Sequence, residues 1–388
     1  MFDRIIVLCF VALCGITPAA AVEVQESSYW LDALSHDGFP EAHDRIPQDP
    51  LIVDLAAKGR AFGGQGGTLR TMVTRSKDIR QMVVYGYARL VGYDAEYNIR
   101  PDILRDVEIE NDQRYTLHLR RGHRWSDGAP FTSADFEYWW THVANNNELS
   151  PNGPPDVMRL AGVVGSMSFP DAHTVVVEWD APNPRFLQLL AAARPPFIYR
   201  PSEYLKQFHL DFAETADLAK AVRSKRVRSW AALHNKVDNM YKFDNPELPT
   251  LQPWVAATKG QSSHKLFVRN AYYHRIDSNG VQLPYIDVVE MSVVGAGLVA
   301  AKSNAGEADL QARGLDFRAV SILKKGESDG APYRTFLWAN GAASQITLYP
   351  NLNFADPVWR KVMRDVRFRR ALSMGIDRHM INRALYFG

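Results

Sequence analysis

Between Tyr115 and His142 three patterns of polarity follow one another without a gap. Tyr115, Leu117 and Leu119 alternate with Thr116, His118 and Arg120, a period of two that predicts a strand with one face against a core. Ser126-Asp127-Gly128 followed by Ala129-Pro130 predicts a tight turn. Thr132 or Ser133 then offers an N-cap, Asp135 complements the helix dipole, and Phe136, Trp139, Trp140 and Val143 fall at helical spacing. The stretch therefore reads as strand, turn and helix in immediate succession.

The same reading extends along the chain. Thr68 to Val73 is a predicted strand, Ser76 to Arg80 a polar loop, and Tyr85, Tyr87, Leu90, Val91 and Tyr93 are expected along a helix. Val107-Glu108-Ile109 pairs with the Tyr115 strand through a turn at Asn111-Asp112. His173 to Trp179 is a strand after the turn Pro170-Asp171, and Phe186, Leu187, Leu189 and Leu190 form a short apolar helix. Pro201 to Phe243 turns helical and polar, with Tyr204-Leu205, Leu218-Ala219 and Trp230-Ala231 on inner faces. Lys265 to Asn270 and Val288 to Val294 are strands. Ala305 to Leu310 is expected to end one helix and begin a strand, and Thr335 to Trp338 is expected to be another strand. Phe368, Leu372 and Ile376 fall on one helical face.

Composition narrows the class. The 388 residues are 46% hydrophobic and 23% charged, ordinary for a globular chain long enough for two or three domains. A net charge of +2 with no basic run on an aromatic repeat argues against a nucleic-acid partner. Ile5 to Leu13 is apolar behind Arg4, and Pro18-Ala19-Ala20-Ala21 follows, so residues 1–21 read as a secretory signal. Both cysteines, Cys9 and Cys14, lie inside it, leaving a mature chain without thiols, disulfides or cysteine-bound metal. Leu13 precedes Cys14 where a lipoprotein signal needs a small residue, which favours a soluble periplasmic protein.

Leu119-Arg120-Arg121-Gly122, Trp125-Ser126-Asp127-Gly128-Ala129-Pro130-Phe131-Thr132 and Ala134-Asp135 together resemble a family, the extracytoplasmic solute-binding proteins of ABC transporters, family 5, the peptide and nickel class. Gly66-Gly67-Thr68-Leu69-Arg70 is similar to the family's first core strand. Asp365 to Leu372 with Ile376-Asp377-Arg378 resembles a second family signature. Ala271 departs from the pattern, which has proline there.

The resemblance implies an α/β fold of two hinged lobes, class II of the periplasmic binding proteins, with a subdomain inserted in the first lobe. The expected division is an arm over 22–66, lobe I over 67–288 with the insertion at about 95–185, and part of lobe II over 289–388. Family members continue past that last helix, so the second lobe is expected to be incomplete. The implied function is a periplasmic receptor, a monomer, that captures oligopeptides or similar polar solutes and delivers them to permease subunits, with no cofactor and no catalysis. Oligosaccharides, opine-like compounds and chelated nickel are alternative ligands.

In open α/β sheets ligands sit beyond the carboxyl ends of strands, which makes Arg75, Asp78 and Arg80 candidate cleft residues. A solvated loop with an ion pair is the other reading of them. The 9 Trp and 16 Tyr suit a cleft that buries an extended polar ligand, and Tyr85, Tyr87 and Trp338 stand near predicted strand ends. Asn340 and Gly341 belong to a small-residue stretch that lets backbone approach a ligand. Arg367, Arg369 and Arg370 read as a solvated helix side.

Two Ser-x-x-Lys matches, Ser262 to Lys265 and Ser321 to Lys324, leave a secreted hydrolase as an alternative, though no Gly-x-Ser-x-Gly elbow accompanies them. A non-functional fragment of a binding protein is a third reading. His118 and His123 lack a second ligand at metal-binding spacing, so no metal is assigned.

Overall fold

The computed structural model describes residues 22–35, 39–260, 262–339, 341 and 346–388. The expected signal segment with Cys9 and Cys14, and the candidate Asn340, lie outside the described residues. Two four-stranded sheets organise the chain. An antiparallel sheet runs Leu104–Glu110, Arg114–Leu119, Thr174–Glu178, Ser166–Asp171. A mixed sheet runs Trp254–Ala256, His264–Arg269, Val288–Val293, Thr68–Val73, its last pair parallel.

The alternation in Arg114–Leu119 does what its period requires. Tyr115, Leu117 and Leu119 are buried and their neighbours half-buried, except Arg120, which is also buried just past the strand. Asn111 and Asp112 both take φ 54°, left-handed residues at the centre of the turn in a three-residue hairpin loop, and Gln113 N–H donates to Glu110 O at 2.9 Å.

The turn that follows is built from side chains as well as backbone. Gly128 sits at φ 90°, and its N–H donates to Trp125 O at 2.9 Å. Thr132 caps the helix Ser133–Tyr138 in a capping box with Asp135. The buried Asp135 carboxylate accepts from the Trp125 indole at 3.1 Å, Thr132 N–H at 3.1 Å, and Ser202 N–H and Oγ–H at 3.0 and 2.8 Å. Burial pushes its carboxyl up to about 6, against the pull of those hydrogen bonds. Trp125, Phe131, Phe136 and Tyr199 pack edge to face or tilted at 5.3–5.9 Å between ring centroids. Each such fully buried aromatic contributes about 2–3 kcal/mol of apolar transfer.

Asp102, two residues ahead of the strand Leu104–Glu110, ties that strand to Arg89 and to the strand Arg275–Asp277. Its carboxylate accepts from Arg89 N–H at 2.9 Å, His274 Nε2 at 2.8 Å, and Arg275 Nε and Nη2 at 2.9 and 2.6 Å. Burial raises its carboxyl, but Arg275 and His274 outweigh that and hold it far below the usual range. Arg120, also buried, donates to the carbonyls of Asp102, Leu104 and Asp49. The strand Leu51–Val53 pairs in parallel with Arg275–Asp277, so the N-terminal segment is laced to the same place. Earlier in that segment, Arg45 donates to Glu26 at 2.7 Å and Arg269 to Ser27 at 2.8 Å.

Three expectations need correction. The helix expected through Tyr93 is Gln81–Gly86; Tyr87 ends it at φ 44°, and Val91–Tyr93 is a strand paired with Ile99–Pro101. No strand occurs after Val293 among the described residues, so neither Asp309-Leu310 nor Thr335 to Trp338 is one. The helix Val366–Met374 stops before Ile376, although Phe368, Leu372 and Ile376 are all half-buried.

The core thins out beyond Val293. The helices Val299–Asn304, Val320–Ser328, Pro357–Arg364, Val366–Met374 and Arg378–Tyr386 bury only Val299 and Leu323 fully. Trp338, Tyr349, Val358, Trp359, Met374 and Met380 are exposed. The apolar run Phe336-Leu337-Trp338 thus has no strand to pair with among the described residues and stays exposed.

Buried histidines give the fold an acid limit. Burial holds His123 well below its ordinary value, His274 down at about 4 and His234 at about 3. Neither ring nitrogen of His123 has a partner among the described residues. As pH falls below about 6.5, the unfolded chain takes up protons that these folded sites refuse, so stability falls; Asp135 acts in the opposite sense below about 6. The urea midpoint should therefore be lower at about pH 5 than at about pH 7.5, and His123→Phe should raise it more at the lower pH. A midpoint that does not change with pH, or a variant shift equal at both, contradicts this.

Candidate functional site

The strand Thr68–Val73 ends against the short helical turn Ser76–Arg80, and the packing behind that turn fixes its position. Ile79, Met82 and Val83 bury against Val73, Val289 and Met291 of the mixed sheet. Asp78, wholly buried, is thereby held at the strand's carboxyl end. Its carboxylate accepts from Arg75 Nε at 3.2 Å and pairs with Arg80 at 3.6 Å and Arg313 at 3.3 Å. Burial alone would raise the Asp78 carboxyl. The Arg75 hydrogen bond and the charges of Arg313, Arg75 and Arg80 outweigh burial and leave it below the usual carboxylate range. Three guanidiniums around one carboxylate leave two positive charges in excess, and all three arginines are partly open to water.

Arg313 arrives there because a returning segment is pinned along the edge of Thr68–Val73. Asp309 accepts from Arg70 N–H at 2.7 Å and from its guanidinium at 3.1 and 2.8 Å, while Asp309 N–H donates to Arg70 O at 2.9 Å. One turn further, the Gln311 amide satisfies Met72 on both sides, accepting from its N–H at 2.9 Å and donating to its carbonyl at 3.0 Å. Gly314, at φ 76°, passes close to Thr74 and Val299, where a Cβ would meet Thr74 Cγ2 at 3.0 Å. The edge is closed by side chains in place of a β-ladder, which explains why 309–313 does not form the expected strand.

The structure brings together some of the residues singled out from the sequence and separates others. Arg75, Asp78 and Arg80 form one cluster, and Tyr85 stands near it, its hydroxyl pushed up by burial and drawn partly back by Arg313. Tyr87 points elsewhere: its hydroxyl donates to Ala191 O at 2.8 Å and accepts from Tyr93 N–H at 3.2 Å. Trp338 and Gly341 are exposed on irregular chain, away from any strand end. Arg313 and Gln311 were not foreseen, since nothing local marks residues 235 and 239 positions from their partners.

The Ser-x-x-Lys matches do not build a dyad. Ser262 Oγ accepts from His264 N–H at 3.1 Å and Lys265 donates to Gly260 O at 2.6 Å, while Lys324 pairs with Glu327 at 2.9 Å.

Comparison with known proteins fixes the class. The profile of bacterial extracellular solute-binding proteins, family 5 Middle, matches residues 98–388. The chain belongs to that family. Among curated relatives, it is 26% identical over 290 residues to the periplasmic alpha-galactoside-binding protein of Rhizobium meliloti strain 1021, covering 72% of this chain and 38% of that one. It is 23% identical over 303 residues to the periplasmic oligopeptide-binding protein OppA of Escherichia coli K12, covering 74% and 46%. The chain thus spans less than half the length of these relatives. A solved oligopeptide-binding protein OppA superposes with a TM-score of 0.74 at 31% identity, over 93% of this chain and 56% of that one. The periplasmic binding protein MelB of Agrobacterium fabrum C58, in complex with stachyose, gives 0.63 at 21% over 80% and 47%, a likeness of fold alone. The fold is the α/β periplasmic-binding-protein fold that the Trp125-to-Thr132 motif had implied.

The pinned edge can be tested apart from any ligand. Gln311→Leu strips both partners from the buried Met72 backbone and should cost about 1–3 kcal/mol. Asp309→Asn breaks a half-exposed pair with Arg70 and should cost under about 1 kcal/mol. Denaturant titrations that reverse this order would contradict the assignment of the edge to Gln311.

Proposed function

We propose that this family 5 chain acts as the extracytoplasmic solute-binding receptor of an ABC importer, holding a polar solute and passing it to membrane permease subunits. The observation that carries the reading is the Asp78 cluster. It stands at the carboxyl end of a core strand, and its cations come from both sides of the crossing strand Val288–Val293, Arg75 and Arg80 before it and Arg313 after it. A site drawing on two stretches of chain converts ligand contact into a closing force between them. Capture needs no covalent step, and the lysines of the two Ser-x-x-Lys matches are occupied by other partners.

Oligopeptides are the ligand class we favour. The excess positive charge suits a carboxylate, and a guanidinium can hold one in a two-point hydrogen bond. The OppA likeness supports this reading. The relative from Rhizobium meliloti supports a second one, an oligosaccharide such as an alpha-galactoside. Tyr85 and Asn340 are carried as further contacts on either reading, with Trp338, Gly341 and Tyr87 placed less favourably by their surroundings. Export through residues 1–21 places the receptor outside the cytoplasm.

Calorimetry of the purified protein against short peptides with free carboxylates and against stachyose decides between the ligands. We expect peptide binding, weakened about 10- to 100-fold in the Arg75→Ala, Arg80→Ala double variant, as loss of one charge-assisted hydrogen bond of about 1.5–3 kcal/mol implies. Binding of the sugar alone selects the second reading, and binding of neither class rejects the proposal.

A further inference from the structure

The helix Ser133–Tyr138 does not end at Tyr138 but widens into a π-helix, Trp139–Ala144. Such widened turns are rare and recur at functional positions. Here the widened turn carries His142. Facing it is the turn after the helix Ser202–Lys206, which carries His209 and Asp211. One donor atom from each of these three side chains lies within 4.8 Å of the other two. His142 Nδ1 is 3.2 Å from Asp211 Oδ2, and His209 Nδ1 is 3.7 Å from the same oxygen. Donors bound to a zinc ion at bond lengths near 2.0–2.1 Å stand about 3.3 Å apart in a tetrahedron, so the three need little movement to share one.

The supporting hydrogen bond fits the same arrangement. His209 is fully buried, and its Nε2 donates to the His142 main-chain carbonyl at 3.0 Å. That bond fixes the tautomer and leaves Nδ1 as the lone-pair nitrogen on the side of the carboxylate, the arrangement by which ligand histidines are oriented. Nδ1 accepts Asp211 N–H at 3.1 Å, and His142 Nδ1 donates to Asp211 Oδ2 at 3.2 Å; coordination would exchange these two bonds. Aromatic walls restrict the ring positions. Tyr138 stacks on His142 at 5.8 Å, Phe212 meets it edge-on at 4.7 Å, and Trp230 meets His209 at 4.9 Å. Asp211 is exposed and His142 half-buried, which opens the remaining positions to water.

We propose that His142, His209 and Asp211 form a three-ligand site for a divalent cation of the zinc type, completed by water and joining the widened helical turn to the turn at 207–212. Two imidazoles and one carboxylate select borderline cations such as zinc, cobalt or nickel over calcium and magnesium, which take oxygen shells. The site lies apart from the Asp78 cluster in sequence and shares no residue with it, so it stands or falls independently of the solute reading. No local spacing announces it, because His209 and its support His142 are 67 positions apart.

The test uses the full chain, stripped with chelator and titrated with zinc chloride by calorimetry, with cobalt absorption as a second readout. The expected result is one zinc per chain and a rise in Tm on zinc addition. His142→Gln and Asp211→Asn, both at positions open to water, should each weaken binding by more than about tenfold, remove the Tm rise and leave far-UV circular dichroism unchanged. The proposal is overturned if the stripped chain takes up no zinc. It is equally overturned if one zinc still binds with undiminished affinity in both variants, which would assign the metal to scattered surface histidines.

Discussion

One buried carboxylate, Asp102, decides how the parts of this molecule sit together. Removing a carboxylate from water costs several kcal/mol unless its oxygens are fully used. Here four donors use them: Arg89 N–H, His274 Nε2 and two nitrogens of Arg275. Those donors come from stretches far apart in the sequence, so meeting the carboxylate's demand fixes their mutual position. Arg275 also reaches Tyr87 O, and Arg89 reaches Val83 O, which carries the constraint into the helix behind the Asp78 turn. The Asp78 cluster at the strand's end is thus held from behind by a network it never touches.

A second constraint is the closure of the Thr68–Val73 edge. An open strand edge offers unpaired backbone groups to any passing chain. Asp309 and Gln311 answer those groups with side chains, and the chain just beyond them then delivers Arg313 to Asp78. Beyond this pinned segment the described helices bury little. Their apolar faces, with Trp359, Val358 and Met380 among them, stay open to solvent. The firm part of the molecule is the pair of sheets with the segment that seals one edge.

What the sequence disclosed and withheld follows from the range of the interactions involved. Tyr115 to His142 was legible because strand period, turn and N-cap are each written within a few residues, and the Thr132–Asp135 capping box sits where the pattern put it. Arg75, Asp78 and Arg80 were legible as a group because they share one loop. Tyr87 was not, because a left-handed residue ends its helix early and turns its ring toward Ala191. Thr335 to Trp338 has a strand's composition but no neighbouring edge to pair with among the described residues, and composition alone does not supply a partner. Arg313, Gln311 and the His142 cluster depend on chain crossings that no local spacing encodes.

The central claim, that the Asp102 network holds both sheets as one unit and the 309–314 segment with them, is tested most directly by hydrogen exchange on the wild-type chain and on Asp102→Asn. In the wild type, amides of Arg114–Leu119, Thr68–Val73 and Val288–Val293 should exchange together at the slowest rate, and those of Pro357–Arg364 and Arg378–Tyr386 much faster. In the variant both sheets should lose protection in common. Loss confined to the antiparallel sheet, with the mixed sheet and its pinned edge unchanged, would contradict the account.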